Sequence, residues 1–62
     1  MSIEELKGEI DRAFRVLGAD HGLQQNAMDI IGWRQDGIIN ENEYYELRRY
    51  NRHQYSLLPL EW

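Results

Sequence analysis

The chain has 62 residues, no cysteine, two histidines and a formal net charge of −4. That length makes one small domain, burying only about 60% of the surface its unfolded chain exposes, and the composition offers neither a disulfide nor a Cys/His cluster to staple it. There is no basic n-region with an apolar h-region at the start and no apolar run near the roughly 20 residues of a membrane span, so the expectation is a soluble, cytoplasmic protein held by helix packing or by association.

The first predicted helix opens on Ser2, with Glu5 three residues later as a capping box. Ile3, Leu6, Ile10, Ala13, Phe14 and Leu17 then recur at helical spacing until Gly18. The acids and arginines between them read as a solvated face, with Asp11 and Arg15 spaced for an i,i+4 pair. Residues 18 to 22 read as a short connection, which makes the flanking helices antiparallel neighbours.

A second helix is expected from Leu23. Leu23, Ala27, Ile30, Ile31 and the stem of Arg34 fall in one sector of about 100°, flanked by Met28 and Trp33. It ends at the most informative stretch of the chain, residues 35 to 44. Gly37 suits the left-handed residue that closes a helix. Asn40 and Glu43 form a second capping box, and Ile39 and Tyr44 occupy the positions of a hydrophobic staple.

The third helix is predicted from Glu41 to about Leu57, because the residue before Pro59 is pushed out of helical geometry. Its inward face is Tyr44, Leu47, Tyr50, Tyr55, Leu57 and Leu58, interrupted by Asn51 and Gln54. Two amides there either hydrogen-bond within the core or mark a face that stays partly open until something covers it. The tail through Trp62 is apolar. The reading is an all-α fold, a small three-helix domain over residues 1–62 in which helices two and three form a hairpin.

Candidate chemistry is thin. Residues 36 to 44 resemble the second half of a calcium-binding EF-hand loop, but Gly32 and Arg34 stand where the leading carboxylate ligands belong. Asp20 and His21 suggest an acid and a base, yet Ser2 and Ser56 are the only hydroxyl nucleophiles besides the tyrosines, and both read as helix-end residues. No catalytic residue, cofactor or metal is predicted, and the chain is expected not to be an enzyme.

The stretch Gly37-Ile38-Ile39-Asn40-Glu41-Asn42-Glu43-Tyr44 resembles the opening of the second helix in the SHOCT (short C-terminal) domain, a helical hairpin of about thirty residues with a Gly-Ile-Ile-Thr-x-x-Glu-Phe pattern. The resemblance spans about residues 27 to 52, with Arg48 where that family usually has lysine. Asn51 and Arg52 depart from the leucine pair that tends to follow. What it implies is a small interaction or oligomerisation module, sometimes proposed to bind nucleic acid, without catalytic activity.

Charge is uneven. Residues 1 to 47 hold ten acids and four bases, and residues 48 to 60 hold three arginines and no acid. Arg48, Arg49, Arg52, Tyr45 and His53 share one face of the third helix, a pattern suited to phosphate contacts with base stacking. Three arginines neutralise few phosphates, however, and they also suit the negative end of a helix dipole, with Glu46 placed to pair with Arg49. The aromatic surplus points instead to a protein interface. The expected function is a non-enzymatic helical interaction module or regulator that binds another protein, pairs with itself as a homodimer, or both, through Trp33, Tyr45, Arg48, Arg49, Arg52 and Trp62. The alternatives are a nucleic-acid-binding regulator using the arginine face, or an acidic nucleic-acid mimic.

Overall fold

The computed structural model describes residues 2–59 and holds three helices: α1 (Ile3–Leu17), α2 (Ala19–Gln35) and α3 (Glu41–Ser56). The two expected capping boxes form. At α1, the Glu5 amide donates to Ser2 Oγ at 3.2 Å and the Ser2 amide to Glu5 Oε1 at 3.4 Å. At α3, the corresponding Asn40 and Glu43 bonds are 2.8 and 2.9 Å. Each box satisfies amides that the first turn of a helix leaves without intrahelical partners.

The corner between α2 and α3 is a Schellman motif. Gly37 sits at φ 75°, its amide donates to the Arg34 carbonyl, and the Ile38 amide reaches back to the Trp33 carbonyl at 2.9 Å. Ile39 is buried at 3% exposure with Tyr44 packed on the same cluster, as the staple requires. A Cβ at Gly37 would have nothing within 4 Å, so a side chain there suffers only the left-handed backbone. Gly37→Val should therefore cost about 1–2 kcal/mol, read as a lowered melting temperature, and an unchanged melt would contradict the role given to this residue.

The first connection is shorter than expected. Gly18 alone joins α1 to α2: at φ 86° it donates to the Phe14 carbonyl and accepts from the Gly22 amide. Residues 19 to 22 are helical, and Gly22 serves packing instead of a turn. A Cβ there would lie 2.8 Å from Phe14 Cδ1 and 3.0 Å from Phe14 Cα. Asn26 Nδ2 donates to the Ile10 carbonyl at 3.1 Å. The pairs 14 with 22 and 10 with 26 are symmetric about Gly18, so α1 and α2 run antiparallel. Asn51 of α3 meets Asn26 and Leu23 while Tyr55 meets Asp20, which makes α3 antiparallel to α2 and parallel to α1.

Leu6, Ile10, Phe14, Ile30, Ile39 and Leu47 form the core, with Trp33, Tyr44, Tyr50 and Leu58 among the half-buried residues around it. Two expectations about its outline are corrected. The buried face of α2 is centred on Asn26, one residue before Ala27 and hence about 100° around the helix. Ala27 and Arg34 are exposed, as is Ile31 at 46%. Leu17, the last residue of α1, and Leu57, just after α3, are also outside, as is Tyr55, which points to Asp20.

The amides on α3 take the first of the two alternatives. Asn26 Nδ2 donates to Asn51 Oδ1 at 3.0 Å, and Asn51 Nδ2 donates to the Leu23 carbonyl at 3.2 Å. This buried pair ties all three helices to one register. Gln54 donates to Asp11, and that bond corrects another expectation: Asp11 faces α3, accepting from Tyr50 Oη and Gln54 Nε2, and does not pair with Arg15. Glu46 likewise takes Lys7 of α1 at 3.0 Å and not Arg49.

Candidate interaction groove

Each pair of helices leaves a furrow on the outside of the bundle, and the three differ in how they are closed. Between α1 and α3, Lys7 bridges to Glu46 and the Asp11 carboxylate holds Tyr50 and Gln54. Between α1 and α2, the missing side chain of Gly22 brings the backbones together. A cavity of about 230 Å³ remains between α1 and α3 and one of about 220 Å³ between α1 and α2. The α2/α3 furrow is larger, about 550 Å³. That volume lies in the range of binding clefts.

Its walls follow from the helix phases. Because the buried face of α2 centres on Asn26, the remainder of its apolar sector, Leu23, Ala27 and Ile31, forms one wall at i, i+4 and i+8. Ala27, the smallest side chain there, is the low point of that wall. Tyr44, Arg48, Arg52 and Tyr55 form the α3 wall. The Arg48 guanidinium stands 5.5 Å from the centroid of the Tyr44 ring, and Tyr45 meets the same ring edge-on at 5.3 Å. At the far end Tyr55 Oη donates to Asp20 Oδ1 at 2.7 Å, and that hydrogen bond raises the Tyr55 phenol above its ordinary pKa.

The expected partner-contacting residues are thus divided. Arg48 and Arg52 line the groove, Tyr45 stands at its edge with 47% exposure, and Arg49 is exposed outside it. Trp33 is half-buried against the core. Trp62 lies outside the described residues. Sequence reasoning missed Ile31 as a surface residue and missed that half-buried Tyr44 also lines the groove, since both belong to apolar stripes indistinguishable from purely core-facing ones.

Tyr50, on the closed side of the bundle, carries the largest electrostatic perturbation. Burial, then the bond to Asp11, push its phenol up to about 12 from an ordinary 10.0. The folded state therefore holds this proton more tightly than the unfolded chain. The stabilisation is complete below about pH 10 and is lost as pH rises toward about 12. Tyr50→Phe should remove part of the alkaline decline in melting temperature across that window. An identical decline in the variant would show that the tyrosine is not its source.

No helix among the described residues is long and apolar enough to cross a membrane, and no cluster of three or more metal-ligating side chains occurs among them. Comparisons with protein families, curated proteins and solved structures find no match.

Proposed function

We propose that this chain is a non-enzymatic, cytoplasmic interaction module that binds another protein, a second copy of itself included, through the α2/α3 groove. The observation that carries this reading is the second apolar face of α2. Leu23, Ala27 and Ile31 line an open furrow after Asn26 and Ile30 have supplied the core. Apolar side chains kept at a concave surface beside two tyrosines and two arginines match the composition of interface hot spots. The resemblance of residues 37 to 44 to the SHOCT hairpin supports the same class of function.

Site-specific photo-crosslinking tests it. A benzophenone amino acid at position 27 or 31, both lining the groove, introduced in cells that make the protein, should give discrete protein adducts. The same group at Glu5 or Arg12, on the exposed face of α1, should not. Adducts destroyed by nuclease would favour the nucleic-acid reading through Arg48 and Arg52, and equal labelling at all four positions would refute the groove as the interface.

A further inference from the structure

We infer that the groove takes one kind of occupant: an amphipathic helix of a partner protein whose apolar ridge is flanked by carboxylates. This deepens the interaction-module reading and rests on it. The shape argument is direct. Leu23, Ala27 and Ile31 rise about 12 Å along α2, two turns of helix, and small Ala27 in the middle lets another helix approach closely. Laid between antiparallel α2 and α3, it would complete a four-helix arrangement in which ridges fill the furrow. Helix-in-groove recognition works by such i, i+4, i+7 anchors.

Charge selects among helices. The protein is acidic overall, yet the one carboxylate at this groove is Asp20 at its far end, held by the Tyr55 hydroxyl, and the lining itself carries only the cations Arg48 and Arg52. Among the described residues neither arginine has a carboxylate within 4.0 Å, while Lys7 has two. Spaced i, i+4, they project about 6 Å apart along α3 and suit two acids one turn apart on the incoming helix. A second copy fits less well. Its exposed α1 face presents Glu5, Gly8, Glu9 and Arg12, with apolar side chains only at its end in Val16 and Leu17, too short a stretch to fill the groove, and groove-to-groove pairing would bring arginines toward arginines. Leu58, the last half-buried residue described, sits on the α1/α3 side, where it shares a cavity with Phe14 and Arg15.

The test uses two synthetic helices of about 16 residues, long enough to hold helical structure when stapled. Both carry leucines at i, i+4 and i+7, flanked in one by glutamates and in the other by lysines. Titrated into the full chain, the acidic helix should shift amide resonances of Leu23, Ala27 and Ile31 and bind at least about tenfold more tightly than the basic one. In the Arg48→Glu, Arg52→Glu variant the preference should reverse, an outcome that unfolding cannot produce. If both helices bind the groove equally and the variant changes nothing, the acidic occupant is wrong and the interaction module stands. If neither moves those resonances, both fall. Concentration-dependent self-association that shifts the same amides would assign the groove to a second copy. A single-stranded oligonucleotide binding there more tightly than the acidic helix would assign it to nucleic acid. Either result overturns the inference.

Discussion

Replacing Asn26 with leucine should destabilise the domain by about 1–3 kcal/mol, because Asn51 Oδ1 loses the amide that satisfies it in a buried site. Asn51→Leu should cost a similar amount, since one of the two Asn26 amide hydrogens loses its acceptor, the other keeping the Ile10 carbonyl, and the Leu23 carbonyl loses its side-chain donor. The double variant should cost less than the sum by about 1 kcal/mol or more, because two leucines, branched like asparagine at Cγ, leave no mismatched polar group between them. A thermodynamic cycle from denaturant melts measures this coupling. Strict additivity would mean that the two amides do not act as a pair. The double variant should also show broadened amide resonances, since an all-apolar layer no longer singles out one helix register.

The second large effect concerns two glycines given the same substitution with opposite results. Gly8 is exposed in the middle of α1, and a Cβ there would have nothing within 4 Å, so Gly8→Ala should stabilise by up to about 1 kcal/mol through helix propensity. Gly22→Ala gains the same propensity but drives its methyl into Phe14 and the Ala13 carbonyl, which lies 3.2 Å away. Two of those three obstacles are backbone atoms, so a rotamer change cannot relieve them. Overpacking of this kind costs about 1–3 kcal/mol and outweighs the gain. For a domain of this size each kcal/mol moves the melting temperature by roughly 4–8 °C, so thermal melts resolve both signs. A stabilised Gly22→Ala would mean that α1 and α2 do not approach as closely as described.

The parts of the fold legible in the sequence are those written in local chemistry. Ser2 with Glu5 and Asn40 with Glu43 need only a side chain and an amide three residues apart, and Gly37 with Ile38 and Ile39 closes α2 within a single turn. What escaped depends on partners far along the chain. Asn26 is polar and interrupts no obvious stripe, and nothing nearby signals that Ile10 and Asn51 will satisfy it. Asp11 looked like half of an intrahelical pair until Tyr50 and Gln54, 39 and 43 residues on, claimed it. Gly22 was legible as a glycine but not as a contact, because turn glycines and packing glycines carry the same letter. The groove was half visible: α2 showed a broad apolar sector, and periodicity alone cannot divide such a sector between an interior and an open furrow.

Gly18 also bears on how the chain finds its structure. With one residue between α1 and α2, the contacts of Ile10 with Asn26 and of Phe14 with Gly22 close very short loops, whose entropy loss is small. Most of the native topology is thus reached by neighbours along the chain, the condition under which helical domains fold in microseconds to milliseconds. The α1–α2 pair assembles around a pivot that is already in place, and α3 is the element that must arrive. Its docking brings Asn51 to Asn26 and, in the same step, raises the second wall of the groove, so the binding surface and the completed fold appear together.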